Sequence, residues 1–151
     1  MFYEFDESDI IKEAREWIGT PYVHMQSAKG HGCDCVGLVL GVWEKLAGPA
    51  PMPKPVYTPQ WPLHNDTSQL EDLLENHYKL PRAKTIKAGT ILCFGFRNRP
   101  THHVGIYTEE ETFIHSYMNR NEVQETKLEG AWLPRMTCAF EYPLRSLTWP
   151  N

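Results

Sequence analysis

The residue types with the most chemistry in them lie in Gly30-His31-Gly32-Cys33-Asp34-Cys35-Val36-Gly37-Leu38-Val39. A glycine turn leads to a cysteine, and the chain then becomes apolar with helical spacing. A thiol so placed rides the first turn of a helix, whose partial positive charge favours thiolate over thiol. Thiol-based hydrolysis needs two further groups: an imidazole within hydrogen-bond reach and a polar residue that holds it. His103 and His115 stand on either side of the acidic turn Glu109-Glu110-Glu111. If that turn closes a hairpin, same-face side chains of the two strands can meet. The candidate trio is then Cys35 as nucleophile, His103 as base and His115 as the orienting group. Adjacent histidines carry at most one net proton at rest, so the expected charge state is Cys35 thiolate, His103 imidazolium and neutral His115. His102 adjoins His103 and should point to the opposite face; a one-residue slip in register exchanges them.

Blander readings compete at each position. A cysteine near a helix start is commonly a small buried residue, and a strand histidine is commonly a satisfied polar one. Cys33, Cys35 and two histidines also make a zinc set, but a C-x-C spacing is poor beside the usual C-x₂₋₄-C pair. Cys93 and Cys138 lie inside apolar runs and read as packing residues. Asp34 reads first as the cap of the helix that Cys35 opens, at the edge of the substrate site. Arg97 and Arg99 sit beside the base in a loop, and are candidates for substrate carboxylates as well as for a solvated turn.

Several elements must position these groups. Residues 8–18 predict a helix capped by Ser8, with Ile10, Ile11, Ala14, Trp17 and Ile18 as its apolar stripe. A second helix runs from Cys35 to about Leu46 and stops at Gly48-Pro49. Residues 49–67 hold half of the chain's 12 prolines, with Val56, Tyr57 and Trp61 among them. They read as an extended arm on the surface of the domain. Ser68 and Glu71 form a capping box for a third helix whose inner face is Leu70, Leu73, Leu74 and His77. Strands follow at 90–96, 103–107 and 112–117, with shorter ones at 122–126 and 137–142. Helices first and strands last, with hairpin-length links, predict an α+β fold on an antiparallel sheet.

The 151 residues suit one domain spanning 1–151. A net charge of −4 with scattered basic residues argues against a nucleic-acid partner. No run approaches the roughly 18 apolar residues of a membrane span. The acidic start Met1-Phe2-Tyr3-Glu4-Phe5-Asp6-Glu7 does not resemble a secretory signal, so synthesis in the cytoplasm is expected. Four cysteines in such a chain point to catalysis or metal before disulfides.

On these residues the chain resembles the NlpC/P60 cysteine peptidases. Asp34-Cys35-Val36-Gly37-Leu38 is similar to the family's nucleophile motif, though Val36 stands where serine is frequent. His103-Val104-Gly105-Ile106-Tyr107 is similar to the motif that supplies the base. Ile114-His115-Ser116 is similar to the motif that supplies the orienting polar residue. Gly19-Thr20-Pro21-Tyr22 resembles a segment whose tyrosine faces the active site, so Tyr22 is expected to line it. More narrowly, Tyr57-Thr58-Pro59-Gln60-Trp61 and Phe96-Arg97-Asn98-Arg99-Pro100 resemble small members encoded with phage tails and gene transfer agents. The resemblance implies a papain-like α+β fold, no cofactor, and hydrolysis of amide bonds in peptidoglycan stem peptides, most often D-γ-glutamyl to a diamino acid. It also implies peptidoglycan fragments as substrate and a phage-like tail assembly as the vehicle that brings the protein to the cell wall. A weakly active structural tail component, and an amidase or acyltransferase on another substrate, remain alternatives.

Overall fold

The computed structural model describes residues 5–48, 69–96 and 100–142. The proline-rich arm, Ser68, Arg97 and Arg99 therefore lie outside the described residues.

Helix α1 (Glu7–Glu16) is capped by Asp6, not by Ser8. Asp6 accepts the Asp9 N–H at 3.2 Å, and the Asp9 carboxylate accepts the Asp6 N–H at 3.0 Å. Ser8 donates its hydroxyl to Asp6 at 2.7 Å instead. A carboxylate at the cap also meets the positive end of the helix dipole, which a hydroxyl does not. Ile10, Ile11, Ala14 and Trp17 are buried, whereas Ile18 lies past the last turn and is 45% exposed.

Helix α2 (Cys35–Ala47) is capped by Asp34, whose carboxylate accepts the Gly37 N–H at 2.7 Å. Residues from Val36 to Trp43 are all buried, so this is the central helix. A Cβ at Gly37 would run into the Gln26 carbonyl oxygen. That glycine lets the turn ahead of the nucleophile pack flat on the helix. Two strands of two residues each, β1 (Ser27–Ala28) and β2 (Gly32–Cys33), form this turn and have no counterpart in the sequence reading. Helix α3 (Gln69–Asp72) widens into a π turn, Leu73–His77. Leu70, Leu73 and Leu74 face inward as expected, and His77 is half-buried.

The remaining strands are β3 (Ile91–Phe94), β4 (His103–Tyr107), β5 (Thr112–Tyr117), β6 (Glu122–Lys127) and β7 (Met136–Phe140). They form one antiparallel sheet in the order β6-β5-β4-β3-β7. The fold is thus α+β, as the element pattern predicts. One face of the sheet, with Ile91, Cys93, Val104, Ile106, Ile114 and Val123, packs on the helices. The other carries Leu92, Phe94 and Phe113 under Trp132. That tryptophan comes from a 3₁₀ turn, Gly130–Arg135. Catalytic candidates on this second face are therefore roofed by an aromatic layer.

Candidate active site

Cys35 is the first residue of α2 and is partly exposed in a cleft of about 210 Å³. The cleft is also lined by Tyr22, His24, His102, His103, Tyr117 and Arg135, among others. The hairpin predicted from the acidic turn is present: Ile106 pairs with Ile114 and Tyr107 with Phe113. Continued by two steps, that register puts His103 and His115 on one face, offset diagonally. Their rings meet, with His103 Nε2 at 2.7 Å from His115 Nδ1. Gly105 lies between them on the same face. A Cβ there would stand 2.9 Å from the Phe113 ring and 3.1 Å from the His115 Cβ. The glycine of the His-Val-Gly-Ile-Tyr segment thus leaves room for the Phe113 ring and for the stem of His115.

The sulfur is held at the start of β4. The backbone N–H groups of Val104, Val36 and Cys35 all act on it. Several contacts fix the turn that carries the thiol against the sheet. The Ser116 hydroxyl donates to the Cys33 carbonyl at 2.7 Å, and the Cys33 N–H donates to the Pro21 carbonyl at 2.9 Å. The Tyr22 N–H donates to the Asn121 carbonyl at 2.8 Å. Tyr22 reaches the cleft by this route, as expected. Burial, then the Cys35, Asp34 and Cys33 groups nearby, raise its phenol above the usual range.

On its far side, His115 Nε2 lies 2.9 Å from the Thr126 hydroxyl of β6. A neutral chain follows from this connectivity. For His103 to receive a proton at Nδ1, its Nε2–H must donate to His115 Nδ1. His115 then donates its Nε2–H to Thr126. Trp132 closes the site from above, with its ring 5.3 Å from His115 and 6.1 Å from His103. Tyr117 stacks on His115 at 5.0 Å.

This dry surrounding changes the expected charge state. Burial, followed by the Asp34 carboxylate, pushes the Cys35 thiol up to about 12, against the opposing pull of the backbone N–H groups. Burial, then the positive fields of His115, His102 and Arg135, push His103 well below the ordinary histidine value. Burial and Arg135 push His115 down to about 3. Both directions oppose the expected resting thiolate–imidazolium pair and favour a neutral thiol with a neutral imidazole. The helix dipole acts on Cys35, but the low dielectric and Asp34 outweigh it.

Asp34, read as a cap at the edge of the substrate site, is 2% exposed. One carboxylate oxygen takes the Gly37 N–H and the other takes the Met25 N–H at 2.7 Å, so it is a structural cap in the wall of the cleft. Cys33 is fully buried in the core while Cys35 opens on the cleft, which separates the two thiols of the zinc reading. Among the described residues no group of three or more His, Cys, Asp or Glu is placed to hold a metal ion. His102 stacks on Phe96 at 5.4 Å and lines the cleft instead of turning away from it. Thr126, Trp132 and Arg135 are absent from the sequence reading. They come from a polar strand and a proline-containing turn whose residue types and spacing carry no signal.

A family model for the NlpC/P60 family matches residues 19–141. A "Probable endopeptidase" of Haemophilus influenzae is 28% identical over 124 residues, which is 82% of this chain and 66% of that protein. This chain thus spans just under two thirds of that relative's length. The NlpC/p60 domain of the peptidoglycan hydrolase SagA superposes with a TM-score of 0.63 at 21% identity, over 91% of this chain and 100% of that one. The peptidoglycan hydrolase RipB of Mycobacterium tuberculosis gives 0.60 at 15%, over 91% and 64%. With the matched segment running from the turn before Tyr22 to the end of the sheet, the chain belongs to the NlpC/P60 family.

Proposed function

We propose that this protein is a cysteine endopeptidase acting on peptidoglycan stem peptides, with Cys35, His103 and His115 as its catalytic residues. The observation that carries the reading is the 2.7 Å contact between His103 and His115, set beside a thiol held at the start of β4. Family membership and the names of the relatives support the substrate class. The D-γ-glutamyl–diamino acid bond is the expected target, on the family resemblance.

In this mechanism the Cys35 thiol attacks the scissile carbonyl as its proton passes to His103 Nδ1. The neutral pair becomes charged only as the carbonyl does, so charge is created where the site is built to receive it. Backbone N–H groups at the start of α2 hold the oxyanion. His103 then protonates the leaving amine and activates water to release the acyl group. His115 keeps His103 in the accepting tautomer and shares the transient charge. Delivery to the cell wall by a phage-like tail assembly belongs to the same proposal, on the resemblance of residues 57–61 and 96–100.

The test is digestion of purified stem peptides followed by mass spectrometry. Cleavage by the native chain and loss of cleavage in Cys35→Ala are expected. An unchanged rate in Cys35→Ala overturns the nucleophile. Absence of any cleavage favours a structural tail component of the same fold.

A further inference from the structure

Arg135 is a cation in the cleft with no carboxylate partner among the described residues. Arg120, exposed on the turn before β6, likewise has none, but it does not line the cleft. Arg15 pairs with Glu109 and Glu125, and Arg82 pairs with Glu71 and Glu75. Arg135 lines the same cleft as Cys35 and His103. Its guanidinium lies over two aromatic faces, 4.2 Å from the Phe96 centroid and 4.5 Å from the Trp132 centroid. Its Nε donates to the Gly95 carbonyl at 3.1 Å. Stacking and that one hydrogen bond fix the plane of the group. Among the described residues no group takes a hydrogen bond from the two terminal nitrogens, which present the fork that matches a carboxylate.

We propose that Arg135 selects substrates carrying a free carboxylate beside the scissile amide and grips that carboxylate through both terminal nitrogens. This rests on the peptidase reading for the identity of the substrate. A stem peptide offers two such groups, the α-carboxylate of a γ-linked glutamyl residue and the carboxylate of the diamino acid. Docking is coupled to the chemistry. The Arg135 charge is one of the influences holding His102, His103 and His115 down. A bound carboxylate offsets that charge and makes His103 a better acceptor for the thiol proton. The bland alternative is that Arg135 only staples Phe96, Trp132 and Gly95 together.

The experiment measures binding to Cys35→Ala protein, so that it does not need turnover. Three peptides are compared: L-Ala-γ-D-Glu-L-Lys, the same peptide with the glutamyl α-carboxyl amidated, and the same peptide with the lysine carboxyl amidated. One of the two amidations should weaken binding about 10- to 100-fold, the worth of a charged hydrogen-bonded pair. In Cys35→Ala/Arg135→Gln that ratio should fall to near 1, and Arg135→Lys should keep part of it. A staple that has been lost weakens all three peptides alike and leaves the ratio in place, which overturns the proposal. Equal binding of all three to Cys35→Ala, or none, also overturns it. If discrimination depends on Arg135 while the native chain cuts none of the peptides, the peptidase reading fails and the carboxylate site stands.

Discussion

Two thiol environments in this molecule differ in a way that separates acidity from reactivity. Cys93 and Cys138 face each other directly across β3 and β7. A hydrogen bond from Cys93 lowers the Cys138 thiol below its usual value, and the same contact with burial holds Cys93 well above it. Cys138 is also partly exposed. By resting acidity Cys138 is the better thiolate, since Cys35 is pushed up to about 12. Yet Cys138 meets another thiol and the Thr137 hydroxyl, whereas Cys35 shares its cleft with His103, whose ring meets His115. On the mechanism proposed above, the nucleophile is made by the base at the moment of attack, not by prior ionisation.

The largest test of that contrast is substitution of each thiol. Cys35→Ala should lower stem-peptide hydrolysis by at least about 10³-fold, as loss of a triad nucleophile does elsewhere. Cys138→Ala should stay within about 3-fold of the native rate. Alkylation by iodoacetamide sharpens the same point: His103→Ala should slow labelling of Cys35 and leave that of Cys138 alone. Equal slowing at both positions would break the comparison.

Next in size is the histidine pair. His115→Ala should cost about 10²-fold or more in kcat, within the range of general acid–base catalysis. Gly105→Val should approach that loss, because its side chain would crowd the His115 Cβ and the Phe113 ring and displace His115 from His103. The readout is kcat for both variants, with far-ultraviolet circular dichroism to show that the sheet has formed. A Gly105→Val enzyme of native rate would show that the pair tolerates displacement and is not the positioning device described above.

The same buried histidines set a pH dependence of stability. Their folded values are depressed, so the unfolded chain binds the protons that the folded chain refuses. Stability is then fully present above the unfolded value near 6.5, and falls as the pH drops from there toward 3. Each histidine kept neutral contributes a slope of about 1.4 kcal/mol per pH unit in that window. Urea denaturation between pH 7 and 4 measures it, and His115→Gln should flatten the slope by about one proton. Ionisation of Cys35, whose thiol is held above its ordinary value, contributes in the opposite direction and only at alkaline pH, so it can be titrated separately from the histidines.

What could be read in the chain beforehand has the same division. The Cys35 turn, the two histidine strands and the diagonal meeting of the rings are local matters of spacing and hairpin register, and residues alone indicated them. The dipole of α2, on which the expected thiolate rested, is visible in a sequence, whereas the burial that opposes it is not. At the histidines that burial comes from Trp132 and Phe94, which reach the site through tertiary packing. Arg97 and Arg99, the candidates next to the base along the chain, lie outside the described residues. Among the described residues the arginine in the cleft is Arg135, 32 positions beyond His103, held by aromatic contacts and by hydrogen bonds to both backbone groups of Gly95. The cap of α1 fell to Asp6 over Ser8, two capable residues that only backbone geometry could separate.

The smallest expected effect lies furthest from the sulfur. In the proposed mechanism the Thr126 hydroxyl, 2.9 Å from His115 Nε2, accepts a hydrogen bond that makes His115 an Nδ1 acceptor and leaves His103 Nδ1 free of hydrogen. Thr126→Val keeps the shape of the side chain and removes that acceptor. His115 is then free to place its proton on Nδ1, which turns the His103–His115 contact around and puts a proton where the thiol's must go. The loss is that of one neutral hydrogen bond, about 1 kcal/mol or roughly 5-fold. It should appear in kcat with KM unchanged, since the relay acts after substrate is bound. Thr126→Ser should restore the rate, because the hydroxyl alone is needed. A valine variant that lost stability but kept its kcat would make Thr126 a packing residue of β6, and the ordering of the pair would then rest on Trp132 and Tyr117.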